Sequence, residues 1–150
     1  MLLRILKWVA LTIPLAFALA WLANASWWSG YKAETTILAH RGLAQTYSSE
    51  GLDRDTCTAM RILPPEHGYL ENTLDSMAAA FAAGADVVEL DIHPTTDGQF
   101  AVFHDWTLEC RTNGKGVTRE QSMAYLKTLD IGYGYTADGG ETFPLRGKGV

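Results

Sequence analysis

The alternation of apolar and polar positions divides the chain into an apolar leader and a region of short strands and helices. Residues 8–25 carry no charge and follow Arg4 and Lys7, a pattern that predicts a membrane-engaging helix. Residues 35–39 form a short, mostly apolar run that ends in a polar loop, and this run predicts a buried strand. We therefore expect two separate structural regions.

The clearest predicted helix lies in the second region. It follows a capping residue, Asn72 or Thr73, and stops at Gly84. Its apolar positions recur at helical spacing, so this face is expected to pack against the core. The positions are Leu74, Met77, Ala78, Phe81 and Ala82.

Two further strands and a second helix follow. Residues 85–93 and 100–105 are predicted as strands, separated by a turn at Thr96-Asp97-Gly98. The second helix is predicted over residues 118–129, with Thr118 as its N-cap. Because strand, helix and strand follow one another, the first two strands should pair in parallel.

This order of elements predicts an α/β fold, an incomplete TIM-type (β/α)8 barrel after an N-terminal membrane-targeting helix. A complete barrel needs about 250 residues, more than the chain contains. A small self-contained α/β domain is the alternative. The predicted domains are a signal peptide or membrane anchor over 1–28, a linker over 29–34 and the partial barrel domain over 35–150.

The leader fits two targeting outcomes. Ala23-Asn24-Ala25 resembles a signal cleavage site, whereas the 18 uncharged residues followed by Trp27-Trp28 fit an uncleaved anchor with interfacial tryptophans. In both cases the basic residues stay inside and the chain after Ser26 crosses the membrane. The protein is thus expected to be exported or membrane-anchored, with its catalytic part on the extracytoplasmic side.

Charge and cysteine content narrow the possible functions. A formal net charge of −5 and a pI near 5.3 argue against binding of nucleic acid, whose phosphates an acidic surface repels. Cys57 and Cys110 lack the close spacing of a zinc site, and an oxidising compartment would permit a disulfide between them. A disulfide and two free buried thiols both stay open.

Paired carboxylates on one predicted strand suggest a metal site. Glu89, Asp91 and His93 share one face of the strand by its period of two. The Cα atoms of Glu89 and Asp91 would lie about 6.6 Å apart, so their charges repel unless a cation lies between them. Mg²⁺ or Ca²⁺ takes carboxylate oxygens of this kind. The alternative is an edge strand whose carboxylates are solvated.

Polar residues at the ends of two strands predict a binding site at the carboxyl-end rim of the sheet, where such folds bind ligands. His40 and Arg41 end one strand, and His104 and Asp105 end another. Arginine offers a planar fork for phosphate, and two histidines can exchange protons with a substrate. The alternatives are structural histidines and an arginine that only pairs with Glu71 or Asp91.

The order of these motifs resembles the start of the glycerophosphodiester phosphodiesterases, over about residues 36–132. The motifs are His40-Arg41-Gly42, Glu71-Asn72-Thr73, Glu89-Leu90-Asp91, Asp97-Gly98, His104-Asp105 and Arg111-Thr112-Asn113-Gly114. The resemblance implies a TIM-type barrel that uses a divalent metal, Mg²⁺ or Ca²⁺, to cleave small-molecule glycerophosphodiesters into glycerol 3-phosphate and an alcohol.

The resemblance also implies roles for single residues. His40 and His104 would be the acid and base, Arg41 a phosphate ligand, and Glu89 and Asp91 metal ligands. Two more carboxylates, Glu71 and Asp105, would line the site.

The chain departs from the family pattern in two ways. Residues 43–70 are longer than in many members, and the family's third metal-binding carboxylate and a phosphate-facing lysine would come after residue 150. These 150 residues alone are therefore expected to be inactive. The alternatives are a related phospholipase-type barrel that acts on lipid head groups, and a non-catalytic phosphate-ester-binding module or inactive fragment.

Overall fold

The computed structural model describes residues 1–25 and 34–149. The chain divides into two compact units, Met1–Thr35 and Thr36–Val150. Trp27-Trp28 and most of the predicted linker 29–34 lie outside the described residues.

The first unit contains helix α1, Leu2–Ala23, with Pro14 inside it. Its 22 residues correspond to a length of about 33 Å. By length and composition α1 is apolar enough to cross a membrane. A signal peptide meets the same criterion, so the cleaved and the anchored alternatives both stay predictions.

The second unit begins with a parallel pair of strands. β1, Leu38–His40, pairs with β2, Val87–Glu89, so that His40 lies opposite Glu89. Helix α2, Leu74–Ala82, lies between them in the sequence. The predicted parallel strand–helix–strand unit is therefore confirmed.

Helix α2 has the predicted limits but buries a different face. The Thr73 hydroxyl accepts the N–H of Ser76 at 3.2 Å, which makes Thr73 the N-cap. Leu74 and Phe81, predicted to face inward, are 85% and 52% exposed, whereas Ser76 and Ala80 are buried. That part of the prediction is wrong because α2 packs through small side chains against the chain that follows β1.

The prediction of one continuous strand over residues 85–93 is also wrong, because the chain bends after Glu89. A separate strand β3, Ile92–Pro94, pairs antiparallel with β4, Phe100–Val102. The N–H of Asp91 donates to Oδ1 of Asn72 at 3.1 Å instead of continuing a strand ladder. Residues 85–93 therefore belong to two sheets, and the third predicted strand is shorter than residues 100–105.

The helix predicted over residues 118–129 is interrupted. A 3₁₀ turn, Thr118–Glu120, precedes the four-residue helix α3, Met123–Leu126, whose N-cap is Ser122. Thr118 is not an N-cap, because its buried hydroxyl donates to the Asp105 carbonyl at 2.8 Å. This hydrogen bond ties the turn to the loop after β4.

Residues 43–70 contribute to the core beneath the site. Their 3₁₀ turn, Thr58–Arg61, supplies buried Ala59, and the Ala59 carbonyl accepts the N–H of Thr136 at 2.9 Å. A disulfide joins Cys57 to Cys110, with their Cα atoms 5.6 Å apart. One core cluster contains Ala59, Ile62, Leu70, Tyr135 and Leu145, and a second contains Phe103, Leu108 and Leu129.

Candidate active site

Arg41 directly follows β1 and has a left-handed backbone, with a φ of 64°. Its N–H donates to the Glu89 carbonyl, and its own carbonyl accepts the N–H of Asn72, both at 2.9 Å. Asn72 is left-handed as well, with a φ of 61°. Such conformations cost about 1–3 kcal/mol and persist where the surroundings fix them. The two hydrogen bonds thus hold Arg41 at the carboxyl end of the parallel strands.

The Arg41 guanidinium lies between two carboxylates. Its Nη1 donates to Oε1 of Glu71, and its Nε lies beside Oδ2 of Asp91, both at 2.9 Å. The pairing alternatives raised by the sequence are therefore both realised. Within the part of the chain that the structure describes, Arg41 Nη2 makes no hydrogen bond or ion pair. This donor remains for a ligand.

His104 and Asp105 form a close pair after β4. Nδ1 of His104 lies 2.7 Å from Oδ1 of Asp105, and the histidine side chain is 41% exposed. Burial would raise the pKa of Asp105, but the hydrogen bond from His104 and the Arg111 charge lower it below its ordinary value. An ionised Asp105 favours the tautomer that carries the proton on Nδ1, which leaves Nε2 of His104 as the acceptor.

Arg111 lies beneath this pair and is 4% exposed. Its Nε lies 3.0 Å from Oδ2 of Asp105, and its Nη1 lies 3.3 Å from Oε2 of Glu71. Nη1 also donates to the Tyr135 hydroxyl, and Nη2 donates to the Thr58 hydroxyl, both at 2.9 Å. Burial would lower the pKa of Arg111, but Tyr135, Glu71 and Asp105 raise it, so the guanidinium stays charged.

His40 and Glu89 form a looser pair on neighbouring strands. Nε2 of His40 lies 3.8 Å from Oε2 of Glu89, and the histidine side chain is 66% exposed. Among residues 1–25 and 34–149, the buried Oε2 of Glu89 has no hydrogen-bond partner. His40 is therefore accessible from solvent, and Glu89 retains an unsatisfied carboxylate oxygen.

His93 does not continue the face of Glu89 and Asp91, contrary to the prediction. It is buried in the β3–β4 pair, with Nε2 3.2 Å from the His104 carbonyl. Its ring also packs edge-on against Trp106, with ring centroids 5.6 Å apart. The bend after Glu89 interrupts the period of two, so His93 supports the loop of His104.

Glu89 and Asp91, the predicted metal ligands, have a donor chemistry that fits a divalent cation. Oδ2 of Asp91 accepts a hydrogen bond from Asn72 and lies 2.9 Å from Nε of Arg41, whereas Oε2 of Glu89 has no hydrogen-bond partner among the described residues. Hard cations such as Mg²⁺ and Ca²⁺ bind carboxylate oxygens and satisfy such atoms. The described residues contain no group of three or more His, Cys, Asp or Glu side chains that could hold an ion.

A cleft of about 400 Å³ opens over the arginines and the His104–Asp105 pair. Its other wall consists of Tyr47 and residues 52–58, from the long segment 43–70 to which the sequence assigned no role. Pockets of this size bind small molecules. Segment 43–70 thus helps to shape the space next to His104.

The sequence alone indicates no site role for Arg111 or Asn72. Arg111 belongs to a family-like motif, but a single arginine next to a cysteine does not indicate burial among carboxylates. Asn72 is one of two candidate helix caps in the sequence, and the tolerance of asparagine for positive φ is the signal that indicates a bend there. Both roles depend on contacts with residues distant in the sequence.

Comparison with known proteins finds matches over most of the second unit. The model of the glycerophosphoryl diester phosphodiesterase family matches residues 40–150. A glycerophosphodiester phosphodiesterase of Caldanaerobacter subterraneus subsp. tengcongensis is 40% identical over 62 residues, 41% of this chain and 26% of that protein. One from Bacillus subtilis is 37% identical over 93 residues, 59% of this chain and 30% of that protein.

A solved structure supports the fold. The glycerophosphoryl diester phosphodiesterase domain of Rv2277c from Mycobacterium tuberculosis superposes with a TM-score of 0.53 at 24% identity. The match covers 79% of this chain and 36% of that chain. The chain therefore shares part of that fold, and it spans about a quarter to a third of the length of the curated relatives described above.

Proposed function

The chain belongs to the glycerophosphoryl diester phosphodiesterase family, and from this membership we propose that the complete protein hydrolyses glycerophosphodiesters to glycerol 3-phosphate and an alcohol. The observation that carries the proposal is the cleft in which Arg41 and the His104–Asp105 pair line one wall. An arginine donor and an oriented histidine beside one small-molecule cleft suit phosphodiester chemistry.

Arg41 binds the phosphate in this proposal. Its Nη2 donates to a non-bridging oxygen, while Glu71 and Asp91 hold the rest of the guanidinium in place. Because the guanidinium is fixed before the substrate arrives, it stabilises the charge that develops during displacement without reorganising.

His104 and His40 transfer the protons. One histidine accepts a proton from the attacking hydroxyl, which belongs to water or to the glycerol moiety, and the other donates a proton to the leaving alkoxide. Asp105 orients His104 through the 2.7 Å contact with Nδ1. Exposed His40 ends β1, where its Nε2 lies 3.8 Å from Oε2 of Glu89 on β2.

Glu89 and Asp91 would hold the divalent cation, Mg²⁺ or Ca²⁺, which neutralises phosphate charge when bound. Support for this assignment comes from the unsatisfied Oε2 of Glu89 among the described residues. A third ligand would come from residues after position 150, so we infer that these 150 residues are inactive alone. Apolar residues on the strands, such as Leu38 and Phe100, are exposed and would be covered by further elements of a complete barrel.

We propose that α1 targets the protein to a membrane and that the catalytic unit is extracytoplasmic. Support comes from the length and composition of α1 and from the Cys57–Cys110 disulfide, because disulfides persist in oxidising compartments. The membrane is thus a partner through α1, whereas the substrate is a small molecule. Alkaline phosphatase fused after residue 150 should be active, and an inactive fusion that is stably produced would contradict this orientation.

Comparison of two substrates tests the proposed reaction. The full-length protein with Mg²⁺ or Ca²⁺ should release glycerol 3-phosphate from glycerophosphocholine and leave phosphatidylcholine vesicles intact. Cleavage of the vesicles alone would favour the phospholipase alternative. Tight binding of glycerophosphocholine without product would favour the binding module.

A further inference from the structure

Arg111 contacts both parts of the candidate site, the Arg41–Glu71 pair and the His104–Asp105 pair. We propose that Arg111 is a positioning residue, which fixes His104 through Asp105 and Arg41 through Glu71, and that the disulfide-tethered turn Thr58–Arg61 holds Arg111 in place. The expected kinetic effects rest on the proposed hydrolysis. The contacts of Arg111 are independent of that reaction.

The first connection runs from Arg111 to His104. The two oxygens of Asp105 have different partners, because Oδ2 lies 3.0 Å from Nε of Arg111 and Oδ1 lies 2.7 Å from Nδ1 of His104. A carboxylate held at one oxygen by a buried guanidinium cannot rotate freely. Arg111 therefore sets the direction in which the His104 ring points.

The second connection runs from Arg111 to Arg41. Glu71 is 8% exposed and bridges the two guanidiniums, with Oε1 2.9 Å from Nη1 of Arg41 and Oε2 3.3 Å from Nη1 of Arg111. A single carboxylate between two fixed cations has one favourable orientation. Arg111 thus sets the position of Glu71, and Glu71 sets the position of the phosphate-binding arginine.

Segment 43–70 holds the Arg111 guanidinium in place from a third side. Nη2 of Arg111 donates to the Thr58 hydroxyl at 2.9 Å, and Nη1 donates to the hydroxyl of Tyr135, which is 2% exposed. The disulfide joins the neighbours of these residues in the sequence, Cys57 before Thr58 and Cys110 before Arg111. Both ends of the Thr58–Arg111 contact are therefore tethered to each other.

Lysine cannot replace Arg111 in this arrangement. The guanidinium directs donors towards Asp105, Glu71, Tyr135 and Thr58 at once, whereas an ammonium on a flexible stem is a single point charge. Arg111→Lys keeps the charge balance of the buried cluster but loses the fork. It therefore separates a positioning role from a requirement for positive charge.

The experiment compares full-length wild type, Arg111→Lys and the milder Thr58→Val, with Arg146→Lys as the matched control. Arg146 is also an arginine that hydrogen-bonds and contacts aromatic rings, but it lies outside the site cleft. For Arg111→Lys we expect kcat to fall about 10- to 100-fold, as is typical for partners that orient catalytic groups. Thr58→Val should lower kcat about 2- to 10-fold, the effect of one hydrogen bond, and Arg146→Lys should leave kcat within about twofold.

Two readouts distinguish positioning from a general loss of structure. In a His104→Ala background, Arg111→Lys should cost less than in wild type, because residues that act as a unit are not additive and only the effect on Arg41 through Glu71 remains. The downfield proton resonance of the His104 Nδ1–H, identified by its absence in His104→Ala, should shift or disappear in Arg111→Lys and in Thr58→Val. It should be unchanged in Arg146→Lys.

The His104 resonance tests the positioning role of Arg111 without relying on the proposed reaction. If wild type is inactive but the resonance responds to Arg111→Lys, the positioning role stands and the proposed function fails. An unchanged resonance in Arg111→Lys or Thr58→Val that remains folded, its absence from wild type, or an additive loss with His104→Ala would overturn the inference.

Discussion

At the scale of single residues, the left-handed backbone of Arg41 and Asn72 places side chains of the candidate site. Arg41 and Asn72 both have positive φ, and one main-chain hydrogen bond joins them, from the Asn72 N–H to the Arg41 carbonyl. Asn72 also donates its side-chain amide to Asp91 at 3.1 Å. The bend after β2, the position of Arg41 and the orientation of Asp91 therefore depend on one another.

Replacement of either histidine tests the proton-transfer roles. His40→Ala and His104→Ala should each lower kcat by about 10² to 10⁴, because each removes a group that donates or accepts a proton in the transition state. Circular dichroism should show an unchanged fold. Near-normal turnover in both variants would remove the histidines from the mechanism.

The lowered pKa of Asp105 predicts a pH dependence of stability. An acid whose pKa is lowered on folding stabilises the protein above its ordinary pKa, about 3.9, and this contribution is lost as the pH falls through the lowered value. The free energy of unfolding in urea should therefore fall below about pH 4 in wild type. Asp105→Asn should be less stable at pH 7 and should show a smaller decline with acid; an equal decline in both proteins would contradict the assignment.

Residue types could be predicted from the sequence, as could Glu71 and Asp91 as partners of Arg41, but the partners of Arg111 could not. The motifs around His40, Glu71 and His104 include Arg41, His104 and Asp105, which the structure brings to one cleft. The contacts of Arg111 with Glu71 and with Tyr135 join residues far apart in the chain, and its contact with Asp105 depends on the turn between them. No local pattern encodes such pairings.

At the scale of elements, α2 shows how close packing can override an apolar pattern. Periodicity predicted the helix, because capping by Thr73 and the stop at Gly84 are local features. The buried face was mispredicted because α2 approaches Gly42 so closely that only small residues such as Ser76 fit there. The bend at Asp91 was missed for a related reason, since it depends on Asn72.

Gly42→Ala tests that close approach. Gly42 has a φ of 79°, and an added Cβ would lie 2.8 Å from the Ser76 carbonyl carbon. The free energy of unfolding should fall by more than about 2 kcal/mol, because the clash adds to the cost of positive φ. Gly51→Ala is the control: its φ is 61° with no atom within 4 Å, so its loss should be about 1 kcal/mol. Equal losses would show that the α2 contact contributes nothing.

The disulfide gives segment 43–70 a measurable contribution to stability. Cys57 and Cys110 are 53 residues apart, so the bond restricts a long loop in the unfolded chain. Replacement of both cysteines by serine should lower the free energy of unfolding by about 2–5 kcal/mol. Dithiothreitol should lower the melting temperature of wild type towards that of the variant and leave the variant unchanged. A reductant-insensitive wild type would contradict a disulfide in the folded protein.

At the scale of the whole molecule, two units with different chemistry are joined in one chain. α1 is uncharged from Trp8 onwards, whereas the second unit carries a buried network of charges around Arg111. Composition predicted the first unit and the order of strands and helices predicted the parallel core of the second. The chain spans about a quarter to a third of the described curated relatives, so its second unit corresponds to part of their fold.

The proposed metal-dependent hydrolysis is tested by the release of glycerol 3-phosphate from glycerophosphocholine by the full-length protein, measured before and after chelation and after return of Mg²⁺ or Ca²⁺. We expect release that stops with the chelator and resumes with the metal, because Glu89 and Asp91 would bind the cation beside the Arg41 phosphate site. A folded, metal-supplemented full-length protein that releases no glycerol 3-phosphate would contradict the proposed function.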